Sequence, residues 1–139
     1  MKRRYRLRDQ NGFKRVRQAG VSYAHPYFVL YVLPNGLSFS RAGFVTSRRI
    51  GKAVVRNRAR RRMSESMRLV WDLIAPGWDM VWIARPAINE AEFAGLQQAL
   101  VRLLRRAGVL LTRQDSANGQ LSDQSAFPIG SDSVMDKQL

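Results

Sequence analysis

Apolar residues recur along this chain with two different spacings, and each spacing predicts a different element. Phe13 and Val16 share a face at i, i+3, which predicts a short helix over residues 11–19, with Gly20 ending it. The run from Tyr27 to Leu33 is dense in aromatic and β-branched residues, which is typical of a strand. The chain therefore begins with a helix followed by β structure.

More β structure is predicted after this strand. Pro34-Asn35-Gly36 predicts a turn, and residues 37–47 continue with apolar positions at Phe39 and Phe44. Gly43 inside that run indicates a bulge or a close approach of another part of the backbone. Further along the chain, Met80 to Ala84 form a short apolar run that predicts a buried strand, closed by Arg85-Pro86.

Two longer segments have helical period. In residues 53–74 one apolar stripe is formed by Val55, Ala59, Met63, Val70 and Ile74, and Pro76-Gly77 ends it. Asn89 and Glu92 have the spacing of a capping box before a second helix, which Gly108 ends. One face of that helix is predicted to point into the core, and it consists of Phe93, Leu96, Leu100, Leu103, Leu104 and Ala107.

The order of elements is α-β-β-β-α-β-α, which predicts the α+β class. One four-stranded sheet with helices packed on it, a two-layer α/β sandwich, is the economical architecture for this order. The folded domain is predicted over residues 1–113. Residues 114–139 are rich in Ser, Asp, Gln and Gly and predict a disordered acidic tail.

Charge changes the picture more than any other property of the composition. The 139 residues include 24 Lys and Arg against 10 Asp and Glu, a net charge of +14. Such a chain needs a polyanionic partner, with nucleic acid the first candidate and an anionic membrane surface the second. Cysteine is absent and no apolar run is long enough to cross a membrane, so we expect a cytoplasmic protein.

The basic residues are concentrated at the start of the first long helix. No acidic residue lies between Asp9 and Glu65, and eight bases, seven of them arginine, fall between Arg48 and Arg62. Guanidinium groups bind phosphate through two hydrogen bonds at once, and helix-start N–H groups favour the same anion. Asn57 adds a group able to contact a base edge or a 2′-OH. The alternative is a solvated charged face, although such faces usually mix both signs.

The sequence around these residues resembles the bacterial ribonuclease P protein component family. The resemblance spans roughly Arg6 to Gly108 and depends on the unbroken string from Arg48 to Arg58, which contains the Arg-Asn-Arg motif. Phe13, the Phe28–Tyr31 run and Ile83-Ala84-Arg85 support it. The resemblance implies an α/β sandwich with a left-handed βαβ crossover. The default hand of such a crossover is the opposite one.

The resemblance also implies a function. In that family the holoenzyme removes the 5′ leader from precursor tRNA, and the RNA subunit holds the Mg²⁺ ions that activate water. The protein binds the catalytic RNA and contacts the leader. It has no catalytic side chain, no small-molecule substrate and no membrane partner. Which of its residues bind metal is unknown.

Two sets of residues in this chain match the family's functional surfaces. The set implied to bind the catalytic RNA consists of Arg48, Arg49, Lys52, Arg56, Asn57, Arg58, Arg60, Arg61 and Arg62. The set implied to line a cleft for the single-stranded leader consists of Phe13, Lys14, Arg17 and Tyr31. Several relatives have an aromatic residue at the position of Arg17, and the family often has an arginine at that of Ser64. We therefore expect the leader contact at Arg17 and the phosphate contact one turn beyond Arg60 to differ here.

Other functions are left open by the residues alone. A ribosomal-type structural RNA-binding protein or an RNA chaperone would share the charge and the fold. A stand-alone metal nuclease would need a carboxylate cluster, and Asp72 and Asp79 are separated by a Pro-Gly turn. His25, the single histidine, has no acidic neighbour in sequence and is predicted to be a loop residue.

Overall fold

The central strand of the sheet shows how the chain builds two packed faces. In a computed structural model that describes residues 3–111, Met80, Trp82 and Ala84 of this strand point to one face and Val81 and Ile83 to the other. This alternation is the strand period of two, and both faces are covered. The strand is therefore apolar almost throughout, as the sequence predicted.

Three helices and four strands make up the fold. They are α1 (Gln10–Ala19), β1 (Val21–Ala24), β2 (Phe28–Pro34), β3 (Arg41–Val45), α2 (Ala53–Val70), β4 (Trp78–Ala84) and α3 (Phe93–Ala107). Short 3-10 turns lie at Arg3–Tyr5, Arg48–Ile50, Trp71–Leu73 and Pro86–Glu90. The α+β class and the order of elements are confirmed, and β1 is the strand for which the pattern gave no bounds.

The sheet has the order β1-β2-β4-β3, in which β3 and β4 are parallel and the other pairs are antiparallel. Helix α2 connects the two parallel strands, so the βαβ crossover is present. The turn at Asn35-Gly36 does not join hydrogen-bonded neighbours, because β4 lies between β2 and β3. Asn35 shapes this connection by accepting from the Leu37 N–H and donating to the Phe39 carbonyl.

The main core lies between the sheet and the pair α2 and α3. It contains Phe28 and Trp82 in edge contact, with ring centroids 5.0 Å apart, and the buried side chains of Met63, Leu100 and Leu103. Helix α1 packs on the opposite face, where Leu7, Val16 and Val81 form a second, smaller cluster. The cleft expected between α1 and the sheet lies beside this smaller cluster.

Several predicted details at element ends are wrong. Asn89 does not cap α3: it lies in the 3-10 turn and donates to the Ile50 carbonyl at 2.8 Å, while Glu92 occupies the N-cap position without a side-chain bond. Phe93 is 38% exposed instead of pointing inward, because α3 begins at this residue. Strand β3 begins only at Arg41. The predicted acidic tail lies outside the described residues.

Candidate RNA-binding surface

The start of α2 follows a tight turn that the sequence makes possible. Ser47 accepts from the Arg49 N–H and begins the 3-10 turn, and Gly51 follows it with a φ of 143°. A Cβ at Gly51 would lie 3.1 Å from the Val55 Cβ, so this entry favours glycine. Lys52 occupies the N-cap position without a side-chain hydrogen bond, which leaves the first-turn N–H groups without a side-chain cap.

Most of the predicted RNA-binding residues share one solvent-facing surface at this helix start. Helix α2 presents them outward because Ala59 and Met63 bury its opposite face. We call the exposed members the α2 basic face: Arg48, Arg49, Lys52, Asn57, Arg58, Arg60 and Arg61. Arg56 is half-buried at its border. No ion pair with Asp or Glu forms on this face within residues 3–111.

Two of the predicted RNA-binding arginines, Arg60 and Arg62, make hydrogen bonds within the protein. Arg60 donates to the Asn57 Oδ1 and to the Thr46 Oγ1, both at 2.9 Å, which fixes its guanidinium above β3. Asn57 therefore offers its amide N–H groups outward while its oxygen is used. Arg62 donates to the Ile88 carbonyl at 3.1 Å and also to the Ala91 carbonyl, and burial lowers its pKa. Arg62 thus joins α2 to the 86–90 turn.

The four predicted leader-binding residues lie together in one cleft. Phe13, Lys14 and Arg17 of α1 face Tyr31 of β2 across a cavity of about 720 Å³, which we call the aromatic cleft. Phe13 and Tyr31 are half-buried, while Lys14 and Arg17 are exposed at the rim. A ring-lined cleft with a basic rim matches the way proteins bind single strands.

A second groove adjoins the aromatic cleft at Phe13. Its cavity volume is about 810 Å³, and it is lined by Arg6 and Arg8 on one side and by Asn57, Arg60 and Arg61 on the other. We call it the arginine groove. Ser64 also lines it. Sequence reasoning missed Arg6 and Arg8, although a buried Leu7 between two arginines predicts an edge segment with both charges outward.

Gly43 explains how Phe13 comes to lie between the two cavities. A Cβ at this position would lie 2.1 Å from the Phe13 Cε1 and 2.6 Å from the Leu7 carbonyl oxygen. Strand β3 keeps an unbroken register with β4 through this residue. The glycine therefore marks a close approach, one of the two predicted possibilities, and not a bulge.

A buried carboxylate fastens α1 above the sheet. Asp79 is fully buried and accepts from Arg15 at 2.7 Å, from Arg41 at 2.7 and 2.9 Å, and from Asn35 at 2.9 Å. Burial acts to raise the pKa of Asp79, but the bonds from Arg41 and Asn35 and the nearby positive charges outweigh it and lower the pKa. We call these residues the Asp79 cluster. Sequence reasoning missed its role, although an acid in an otherwise apolar strand was a visible sign.

Other predicted features take ordinary structural places. His25 lies between β1 and β2 and accepts from the Tyr27 N–H through Nδ1 at 3.0 Å. Within residues 3–111, no three His, Cys, Asp or Glu side chains gather as a metal site would require. None of the helices in that part of the chain is long and apolar enough to cross a membrane.

A basic helix start beside an aromatic cleft, on an α+β sheet, defines a nucleic-acid-binding protein. The chain belongs to the ribonuclease P family, whose model, described as Ribonuclease P, matches residues 1–108. The ribonuclease P protein component of Roseiflexus castenholzii is 50% identical over 111 residues, 79% of this chain and 91% of the relative. That of Chloroflexus aurantiacus is 43% identical over 124 residues, 88% of this chain and 92% of the relative.

Solved structures of ribonuclease P proteins are similar to this chain over most of its length. The RNase P protein of Staphylococcus aureus is similar with a TM-score of 0.70 and 29% identity, covering 76% of this chain and 96% of that one. The protein from Thermotoga maritima has a TM-score of 0.67 and 34% identity, covering 73% and 96%. The function is accordingly that of a protein subunit in the ribonucleoprotein that processes tRNA precursors.

Proposed function

We propose that this subunit uses two adjoining surfaces, the α2 basic face for the catalytic RNA and the aromatic cleft for the 5′ leader of precursor tRNA. The observation that carries the proposal is the convergence of Phe13, Lys14, Arg17 and Tyr31 on one cleft. These residues come from two elements and meet only through folding. The holoenzyme then removes the leader from the precursor tRNA while the protein orients the catalytic RNA and the leader.

The α2 basic face suits a structured RNA. Its guanidinium groups form two-pronged bonds to phosphate, and the uncapped helix start adds N–H donors and a positive dipole end. Arg60 is already fixed by Thr46 and Asn57, so binding orders one fewer side chain. Removing a phosphate contact should therefore weaken association and its dependence on salt.

The aromatic cleft suits an unpaired strand. Bases stack on rings such as Phe13 and Tyr31 with about 1–3 kcal/mol each, whatever their identity. Lys14 and Arg17 at the rim meet the phosphates. Because a leader has no fixed sequence to be read, a sequence-tolerant cleft is the appropriate device, and Arg17 makes this cleft rely on charge where relatives have a second ring.

The side chains of the α2 basic face and of Asp79 also indicate where the catalytic Mg²⁺ ions are held. Mg²⁺ takes oxygen ligands, whereas the α2 basic face offers guanidinium, ammonium and amide N–H groups. Both carboxylate oxygens of Asp79 are already occupied by Arg15, Arg41 and Asn35. We therefore place the catalytic Mg²⁺ ions on RNA phosphates and the catalytic centre in the RNA subunit. The protein's part is to bind, orient and neutralise.

A reconstitution assay tests this proposal. The full chain is mixed with the catalytic RNA and a leader-bearing precursor tRNA at a low Mg²⁺ concentration at which the RNA alone cleaves slowly. We expect faster leader removal with protein and no cleavage by protein alone. Absence of any gain would overturn the proposal, and cleavage without the RNA would place the chemistry on the protein.

A further inference from the structure

The segment before α1 is docked so that two arginines point the same way. Leu7 is 5% exposed, and its N–H donates to the Ala42 carbonyl at 2.9 Å, which adds residues 6–7 to the free edge of β3. In an extended segment neighbouring side chains alternate, so Arg6 and Arg8 lie together on the side away from Leu7. Both are exposed and both line the arginine groove.

Helix α2 supplies the facing wall. Arg60, Arg61 and Asn57 line the groove there, and Ala42, Gly43 and Phe44 of β3 also line it. The lining contains four guanidinium groups and no carboxylate. Like charges gathered in one cavity repel each other, and an anion in the groove offsets that repulsion. The groove is large enough for more than a single ion.

Phe13 connects the groove to the aromatic cleft. Among the described residues it is the one aromatic side chain that lines both cavities, and Gly43, which has no side chain, leaves room for its ring. A strand whose base stacks on Phe13 in the cleft thus has its next phosphates directed at a cavity of four arginines.

We propose that the arginine groove is a second, phosphate-binding station for single-stranded RNA, in which Arg6 and Arg8 clamp the backbone against Arg60 and Arg61. These two arginines form the edge of the α2 basic face that borders the groove, so they lie between the leader and the catalytic RNA. The leader then runs through both cavities, with Phe13 stacking at the junction between the aromatic cleft and the arginine groove. This inference rests on the proposed function, because the leader is the strand it extends. It assigns a binding role to the segment before α1, which the sequence pattern left without one.

The test uses precursors whose leaders grow one nucleotide at a time, bound to holoenzyme assembled with the full chain. The variant is Arg6→Gln with Arg8→Gln, and the matched control is Arg3→Gln with Arg4→Gln, which removes two charges from the same segment outside the groove. With the wild type, affinity should rise with leader length in two stages. The Arg6/Arg8 variant should lose one of the two stages and keep the other, and the control should keep both.

Salt dependence gives a second readout. Two lost single-strand phosphate contacts should lower the slope of log affinity against log salt by about 1.4 for long leaders and not for mature tRNA. Replacement by lysine at both positions should restore that slope. Equal loss for every leader length and for mature tRNA, or weaker binding of the catalytic RNA alone, would assign these arginines to another RNA and overturn the proposal. So would no loss at all.

The outcome is separable from that of the proposed function. If the wild type shows no gain with leader length, the cleft itself does not hold the leader and the proposed function fails. If the wild type shows the gain and the Arg6/Arg8 variant behaves identically, only the arginine groove loses its role. Thermal unfolding of the Arg6/Arg8 variant should match the wild type, since neither of these arginines makes a side-chain bond within residues 3–111. The control also removes the contacts of Arg4 with the rings of Tyr5 and Phe39, so its binding is measured well below its own unfolding temperature.

Discussion

The arginines of the Asp79 cluster and those of the α2 basic face have the same chemistry and opposite roles. Arg15 and Arg41 converge on a carboxylate that is fully buried, and their own side chains keep 52% and 28% exposure. Arg58 and Arg61 lie on a helix surface that offers them no carboxylate among the described residues. One set is paired within the fold, and the other is left exposed to solvent.

This difference shows how the fold separates stability from binding. The Asp79 cluster ties β4, β3, the turn after β2 and α1 together with four hydrogen bonds. It therefore sets the height of α1 above the sheet and with it the shape of the aromatic cleft. The α2 basic face gathers like charges that repel one another, and we propose that bound RNA offsets this repulsion. Variants in the two sets should separate these effects.

The largest effect is expected from Asp79→Ala. It leaves two arginines and Asn35 without their acceptor, and breaking a buried ion pair costs about 3–5 kcal/mol; water contact of the arginines favours the lower end, about 3 kcal/mol. Denaturant unfolding measures this loss. The exposed Asp72→Ala is the control and should change stability by less than about 0.5 kcal/mol.

The same residue predicts a dependence on pH. Because the folded pKa of Asp79 is lowered, its contribution to stability is complete above the ordinary carboxyl value of 3.8 and is lost as the pH falls through the folded pKa. The Asp79→Ala variant should therefore lose less stability than the wild type over that acidic range. Parallel pH profiles would show that Asp79 contributes nothing there.

A smaller effect, mainly on substrate preference, is expected from Phe13→Ala. Loss of one stacking ring should reduce affinity for the precursor by about 1–3 kcal/mol while mature tRNA binds as before. Some stability should also be lost, because Phe13 packs against the Leu7, Val16 and Val81 cluster. Equilibrium binding of both tRNA forms at a temperature well below unfolding separates the two effects. Equal losses for the two forms would remove Phe13 from the leader contact.

The smallest effect is expected from Arg58→Ala. We expect weaker association with the catalytic RNA, a salt slope lower by about 0.9 and an unchanged melting temperature, because this exposed side chain has no bond within residues 3–111. Arg68→Ala is the matched control on the same helix, since Arg68 is paired with Glu65. The half-buried Arg56 is a less clean choice, as its truncation also removes packing. A large drop in melting temperature for Arg58→Ala would mean a structural arginine.

The sequence was informative wherever a property repeats along the chain. The apolar stripe of α2, the apolar run of β4 and the arginines between residues 48 and 62 are local patterns, and the fold keeps all three. The end of the stripe is the exception, since α2 stops at Val70 and Ile74 follows a separate 3-10 turn. Predictions of the residue at which a helix or strand begins or ends were less accurate. Asn89 has the spacing of a cap, but its amide reaches the Ile50 carbonyl on another turn, a partner that no local pattern could indicate.

The sequence by itself determined the class of fold, the concentration of positive charge and the identity of the helix start that presents it. Tertiary structure alone decided which arginines remain available. Asp79 takes Arg15 and Arg41 and the 86–90 turn takes Arg62, whereas Thr46 orients Arg60 but leaves it exposed. The physical reason is that a guanidinium's role depends on the acceptor within its reach, and acceptors distant in sequence come within reach only when the sheet and helices pack.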